Sequence, residues 1–234
     1  NRIYDWALNE QGSYYRQNLM FSSFCTVEMR SLTRRYFRNA NGAVQLSRTC
    51  DGVLSHLLES TRQIFQRIPQ TDEEEVSSSL SSNTSTLVNA LERRARYFER
   101  KYEMLLRGSK THVLLYVESY FDFLRVQSFL KSRLPEEELC CISSGTDPVE
   151  IARARNDFYH GKRRVMLMSG RFYFFRRYRI RGTRHVVFYT PPKIPQFYAD
   201  IVNSMSSSSL TDSTAENSVT VLFDRYDSLQ LEGI

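Results

Sequence analysis

The feature that most constrains the fold is an alternation of short, unbroken apolar segments with amphipathic segments of helical spacing. The apolar segments are residues 112–117, 139–142, 165–168, 185–189 and 219–223. Unbroken apolar strands are typical of a sheet that is covered on both faces. Helical spacing is found at residues 121–130, 147–160 and 195–202. The sequence therefore predicts an α/β fold, a parallel sheet with helices on both faces.

The residues before this alternation predict a mixture of short strands and helices. Two apolar runs, 18–21 and 43–46, predict short strands, and the first of them is expected to be buried. Between them, Thr26 is a predicted N-cap for a helix over 27–38. Further helices are predicted over 53–65 and 87–106.

Two Ser-rich segments, 70–86 and 204–218, are polar and contain few bulky apolar residues. Such segments bury too little surface to offset the entropy of ordering the chain. We interpret both as disordered surface insertions.

The composition excludes several classes of protein. Apolar residues make up 41% of the chain and charged residues 25%, so most of it is expected to fold around a core. No apolar run approaches the roughly 18 residues of a membrane span. The chain opens at Asn1 without a basic and apolar leader, so we expect no signal peptide and a start inside a longer protein.

The cysteines and histidines predict neither a disulfide framework nor a metal site. They are Cys25, Cys50, Cys140, Cys141, His56, His112, His160 and His185, without a C-x-x-C pair or a cluster. No metal and no cofactor are therefore predicted, and a reducing compartment is expected. Cys140 and Cys141 lie on a predicted buried strand, where packing explains them better than redox chemistry.

The positive charge is concentrated in one block. The chain carries a net charge of +6, whereas residues 153–184 hold eleven Lys or Arg and one acid, a local charge of +10. Such a block indicates a polyanionic partner, most often a nucleic acid. The candidate RNA- or partner-binding residues are Lys162, Arg163, Arg164, Arg171, Phe172, Arg176, Arg177, Tyr178, Arg179, Arg181 and Arg184.

Aromatic residues interleave with the arginines of this block. Arg can contact phosphate through two hydrogen bonds, and aromatic rings can stack on unpaired bases. The segment can thus be an RNA-binding surface. Alternatively, the aromatic residues belong to the core and the arginines pair with acidic partner proteins or are only solvated. For Tyr120, Phe121 and Phe123, at the start of a predicted helix, we expect packing in the core.

Two segments resemble DEAD-box helicases. Residues 16–24, RQNLMFSSF, with the helix that follows are similar to the end of the first RecA-like lobe, where helicases have R-Q-T-x-x-F-S-A-T. The strand at 112–117, the segment 151–158 and Gly161 resemble the start of the second lobe. The resemblance implies a RecA-like helicase C-terminal lobe that is preceded by the tail of a first lobe.

Longer motifs resemble one particular family, the U3 small-nucleolar-RNA-associated, digestive-organ-expansion-factor family of ribosome biogenesis proteins. The motifs are YVESYFDFLR at 116–125, HGKRR at 160–164, GRFYFFRRYRIRG at 170–182, TVLF at 220–223 and YDSL at 226–229. The resemblance covers roughly residues 14–48 and 110–232. It divides the chain into a first-lobe remnant (1–48), a helical linker (49–109) and a second lobe (110–234).

The helicase ATPase motifs are altered. Where helicases have T-D-x-x-x-R-G, the chain has Ser169-Gly170-Arg171-Phe172, and where they have H-R-x-G-R-x-x-R it has residues 197–202, FYADIV. Motif III is altered to Ser22-Ser23-Phe24. ATP hydrolysis needs arginines that stabilise transition-state charge. The sequence therefore predicts no catalytic residues, no enzyme activity and no small-molecule substrate.

The resemblance implies a nucleolar component of the small-subunit processome that acts in pre-18S rRNA processing. Its implied partners are processome proteins, the U3 small nucleolar ribonucleoprotein and pre-rRNA, with no membrane. Two alternatives remain open: a lobe of an active ATP-dependent RNA helicase, and a scaffold that contacts proteins only.

Overall fold

The computed structural model describes residues 3–9, 11–22, 27–46, 52–58, 61–69, 83–107, 112–206 and 217–234. The chain divides into two units, Asn1–Thr49 and Cys50–Ile234. Some predictions lie outside the described residues: the Thr26 cap, Cys25, Cys50, Ser23-Phe24, and the Ser-rich residues 70–82 and 207–216.

The described residues of the first unit form three helices: α1 (Asp5–Leu8), α2 (Gly12–Tyr15) and α3 (Val27–Tyr36). The predicted helix over 27–38 is confirmed, but the predicted strands at 18–21 and 43–46 are wrong. Phe21 and Leu46 are each more than 90% exposed, and the described residues of this unit contain no strand with which either run could pair. An apolar run without a neighbouring strand has nowhere to place its backbone hydrogen bonds in a sheet.

The second unit is built on a six-stranded sheet in the order β1-β6-β5-β2-β4-β3, and every neighbouring pair is parallel. The strands are β1 (Arg62–Arg67), β2 (Val113–Val117), β3 (Leu139–Ile142), β4 (Val165–Ser169), β5 (His185–Phe188) and β6 (Ser218–Phe223). All five predicted apolar strands are confirmed, as is the parallel α/β class.

Strand β1 corrects the predicted helix over 53–65, which lies within the predicted linker 49–109. Among the described residues of that stretch, the helical part is a single 3-10 turn at Leu54–His56, and Ile64 pairs with Thr220 of β6. Ile64 and Phe65 fit a helical pattern when they are read with the leucines before them. Pairing with a neighbouring strand overrides that local pattern because sheet stability depends on cross-strand contacts.

Helices cover both faces of the sheet. They are α4 (Asn83–Arg107), α5 (Tyr120–Arg133), α6 (Pro148–Tyr159), α7 (Gly170–Arg176), α8 (Pro195–Ser206) and α9 (Ser228–Glu232). Apolar side chains of α6, α7 and α8 pack on one face, in a core that includes Tyr116 and Phe188. Those of α4 and α5 pack on the other face, in a core that includes Leu115 and Leu167.

The ends of the predicted Ser-rich insertions are more ordered than expected. Helix α4 already begins at Asn83, and α8 continues to Ser206. No helix in the described part of the chain is long and apolar enough to cross a bilayer.

Candidate nucleic-acid interface

The basic block does not form one surface, because β4 runs through it. Lys162, Arg163 and Arg164 precede β4 and Arg184 precedes β5, so these four lie at the amino edge of the sheet. Helix α7 begins after β4, at the carboxyl edge. The five residues of β4 separate these ends by about 16 Å.

The basic residues at the amino edge fasten loops of the protein itself. The Arg163 guanidinium donates to the carbonyl oxygens of Leu139, at 3.1 Å, and Glu136. Arg164 forms an ion pair with Glu138, with 3.0 Å between Nε and Oε2. Lys162 lies 3.9 Å from Asp157. These side chains hold the connections around β3 and β4 together.

Helix α7 carries the remaining residues, and its two ends are fixed by local interactions. At its start the Phe172 backbone N–H donates to Ser169 Oγ at 3.3 Å. At its end Arg177 adopts a left-handed conformation, with φ of +49°, and its N–H donates to the Tyr173 carbonyl. A left-handed residue is a common helix terminator. The contacts at both ends therefore set the phase of this short helix, that is, which of its side chains face the sheet.

That phase divides the aromatic residues into two groups. Phe172 and Tyr173 are buried against the sheet, whereas Phe174 and Phe175 are 49% and 64% exposed. Phe172 is thus a core residue, and its predicted place in a binding surface is corrected. Tyr178 is half-buried, with the Arg155 guanidinium 4.6 Å from its ring centre.

We give the name α7 surface to five exposed residues of this segment: Arg171, Phe174, Phe175, Arg176 and Arg179. None of the three arginines forms an ion pair with a described acid. The rings of Phe174 and Phe175 meet edge to face at 5.1 Å. Exposed guanidinium groups can contact the phosphates of a nucleic acid, while exposed rings on the same segment stack on its bases.

Arg177 and Arg181 flank this surface. Arg177 lies 4.3 Å above the Phe197 ring and 3.6 Å from Asp200, so it ties the end of α7 to α8. Arg181 is exposed on the connection that leads back to the amino edge. The structure thus groups the exposed arginines of α7 and the connection after it, and separates them from the amino-edge set.

The carboxyl edge also contains polar contacts that sequence reasoning missed. Tyr116 donates to Glu118 Oε2 at 2.6 Å, and burial together with the Glu118 charge raises the pKa of Tyr116. Arg93 pairs with Asp224 at 2.7 Å, and Arg94 pairs with Asp227. The D-x-x-D spacing of the two aspartates, which form a capping box, is the sequence signal that could have identified this cluster.

Three aromatic residues at the start of α5 are predicted to pack in the core. Phe123 is buried as expected, but Tyr120 and Phe121 are 48% and 83% exposed, so their predicted core positions are wrong. Phe123, Val126 and Leu130 share the inward side of α5, which turns Phe121 outward.

Among the described residues, no three His, Cys, Asp or Glu side chains are grouped to hold a metal ion.

The place of the helicase arginine motif is occupied by apolar residues. Phe197, Tyr198, Ile201 and Val202 of α8 are buried in the core. The exposed polar group of this segment is the carboxylate of Asp200, which faces Arg177. Residues 197–202 therefore present no guanidinium group to a nucleotide.

Solved structures share the fold. An E. coli DEAD-box protein, SrmB, superposes on 75% of this chain and 84% of its own, with a TM-score of 0.51 and 12% identity. S. cerevisiae Dbp5 bound to RNA and ADP BeF3 matches 91% of this chain and 46% of its own, with a TM-score of 0.52 and 12% identity. The predicted RecA-like helicase-lobe architecture is confirmed.

Curated relatives match the whole chain at about 30% identity. They include Protein NUCLEOLAR FACTOR 1 of Arabidopsis thaliana, at 31% identity, and U3 small nucleolar RNA-associated protein 25 of Podospora anserina, at 32%. The mouse U3 small nucleolar RNA-associated protein 25 homolog is 30% identical. The chain covers 28% to 35% of the length of these relatives.

Family models account for nearly all of the chain. The model described as "UTP25, NTP hydrolase-like domain" matches residues 1–44, and "Utp25, C-terminal domain" matches residues 53–234. The second match alone covers more than half of the sequence. The resemblance inferred from the motifs is confirmed, and the chain belongs to the Utp25 family.

Proposed function

We propose that this chain is a non-catalytic docking module of the small-subunit processome, acting in pre-18S rRNA processing in the nucleolus. The names of its relatives, which are associated with U3 small nucleolar RNA or called nucleolar, support this assignment. The observation that carries it is the α7 surface, where Arg171, Arg176 and Arg179 are exposed on the same segment as two exposed rings. Its proposed partner is RNA of the U3 particle or pre-rRNA.

The absence of catalysis is part of the proposal. Ser169 and Gly170 replace the helicase T-D pair, and Ser169 is used to cap α7. Residues 197–202 are packed into the core instead of displaying arginines. The fold survives these changes because its stability comes from burial on both faces of the sheet. RNA-stimulated ATP hydrolysis by the purified full-length protein that is lost on removal of this lobe would support the active-helicase alternative.

The RNA contact is tested by reversing three charges in the full-length protein, R171E/R176E/R179E. These side chains are exposed and have no described ion-pair partner, so the lobe is expected to fold normally. We expect at least a tenfold loss of affinity for single-stranded RNA, and a decrease of about two in the slope of log K against log salt, because fewer counterions are released. RNA that co-purifies from cells should lose U3 and pre-18S sequences.

The matched control is R96E/R125E/K131E, which makes the same change of charge on the opposite face of the sheet. It should retain RNA binding. If both triple variants lose RNA equally, net charge rather than the α7 surface explains the binding. If R171E/R176E/R179E leaves RNA binding unchanged, and the associations with partner proteins survive RNase treatment, the protein-only scaffold is favoured.

A further inference from the structure

A second basic surface lies on the face of the sheet opposite to α7. A cleft of about 590 Å³ separates α4 from α5. Its walls carry three arginines, Arg100 from α4 and Arg125 and Arg133 from α5. Among the described side chains, a single carboxylate, that of Glu99, lines the same cleft. The cleft therefore has an excess of positive charge.

The fold keeps this cleft open and holds its walls in place. Helices α4 and α5 both run from the carboxyl edge of the sheet to the amino edge, so they lie side by side in the same direction. Phe129, which lines the cleft, meets Phe98 of α4 edge to face at 6.1 Å, so the two helices are in contact beside it. The ion pair between Arg94 and Asp227 anchors α4 at the carboxyl edge.

We infer that this cleft binds an acidic peptide segment of a partner protein. Guanidinium groups pair with carboxylates through two parallel hydrogen bonds, and clusters of arginines are a recurring means of recognising acidic peptides. Arg125 and Arg133 are eight residues apart on α5, about 12 Å along the helix axis. An extended peptide covers that distance in about four residues. The ligand therefore carries acidic side chains about four residues apart.

The polar lining fits a peptide better than a nucleic-acid backbone. Glu99 accepts hydrogen bonds, and a peptide supplies backbone N–H donors to it. Phosphodiester oxygens only accept and carry the same charge as Glu99. The aromatic ring of the cleft, Phe129, is half-buried and meets Phe98 edge to face, so it offers a base less free surface than the exposed rings of α7. The α7 surface has the opposite character, with exposed rings and no carboxylate.

The test measures binding of labelled decapeptides to the full-length protein by fluorescence anisotropy. One peptide has glutamates at positions 2, 6 and 10 between Gly and Ser residues, and the matched peptide has glutamines at those positions. We expect the wild-type protein to bind only the glutamate peptide. The R100E/R125E variant should bind that peptide at least tenfold more weakly. The lysine variant R100K/R125K should bind with intermediate affinity, because it keeps the charge but loses the two-point contact.

A charge-matched variant of the α7 surface, R171E/R176E, separates this inference from the proposed RNA contact. It should leave binding of the glutamate peptide unchanged while binding of a ten-nucleotide uridine RNA decreases. The inference is overturned if the wild-type protein does not bind the glutamate peptide, or if R100E/R125E and R171E/R176E weaken peptide binding equally. It is also overturned if R100E/R125E weakens only the binding of RNA. Unchanged thermal unfolding of each variant establishes that its fold is intact.

Discussion

Gly170 lies where β4 passes into α7, against the hydrogen-bonded pair of Tyr116 and Glu118. A Cβ atom at this position would lie 2.7 Å from Glu118 Oε2, 2.8 Å from the Tyr116 hydroxyl and 3.0 Å from Glu118 Cα. The last of these is backbone at the end of β2 and has little freedom to move. We expect Gly170→Ala to lower the free energy of unfolding by about 1–3 kcal/mol, as overpacking does elsewhere.

Urea denaturation followed by circular dichroism measures this loss. Gly145→Ala is the matched control, since nothing lies within 4 Å of its Cβ position. That substitution should change the stability little. Equal stability of the two variants would mean that Gly170 is not closely packed.

The sequence of α7 predicts a binding segment but not which of its residues point outward. Phe172, Phe174 and Phe175 have the same chemistry, and in a helix of seven residues the phase decides which of them is buried. The Ser169 cap and the left-handed Arg177 fix that phase. The contacts of Ser169 and Arg177, which end the helix against the sheet and the Phe197 ring, therefore decide that Phe172 is buried and that Phe174 and Phe175 are exposed.

Among the helices, α4 is held to the sheet by charges as well as by apolar contacts. Arg94 is 6% exposed and pairs with Asp227, which also accepts the Asp224 backbone N–H. Removing one partner of a buried pair leaves the other uncompensated. We expect Arg94→Ala to lower the free energy of unfolding by about 3 kcal/mol.

Arg96 provides the control on the same helix. It pairs with Glu92 at 3.4 Å, and both side chains are exposed, so Arg96→Ala should cost less than about 0.5 kcal/mol. Chemical denaturation of both variants gives the comparison. Similar losses for Arg94 and Arg96 would show that burial of the Arg94 pair adds nothing.

The sequence correctly predicts those elements whose own residues indicate what surrounds them in the fold. Strands β2 to β6 are predominantly apolar because helices cover both of their faces. The edge strand β1, which begins Arg62-Gln63, lacks that signature, and its residues fit a helical pattern instead. Its pairing with β6 joins segments that are about 155 residues apart. Residues 18–21 have the apolar signature but no neighbouring strand, which a local pattern does not reveal.

At the scale of the whole molecule, the two core layers bury several phenols and a thiol. Burial raises the pKa values of Tyr102, Tyr189 and Tyr198. It raises the pKa of Tyr173 to about 12 and that of Cys140 to about 12. Each of these groups is neutral in the folded protein at a pH where the unfolded chain has begun to ionise.

This difference fixes the sign of the pH dependence. Above the unfolded pKa values, near 9 for a thiol and 10 for a phenol, the unfolded chain binds fewer protons than the folded protein. Stability is therefore fully present at neutral pH and decreases as pH rises from about 9 towards the folded pKa values. Each group contributes up to about 1.4 kcal/mol per pH unit within that window.

Tyr189→Phe isolates one of these contributions. The Tyr189 hydroxyl is buried and has no hydrogen-bond partner among the described residues, so its removal should not lower stability at pH 7. Above pH 10 the free energy of unfolding of the variant should decrease less steeply than that of the wild type, because the unfolded variant has one phenol fewer to ionise. Urea denaturation at intervals from pH 7 to pH 11 measures both slopes. Identical slopes would show that the Tyr189 phenol ionises as readily in the folded protein as in the unfolded chain.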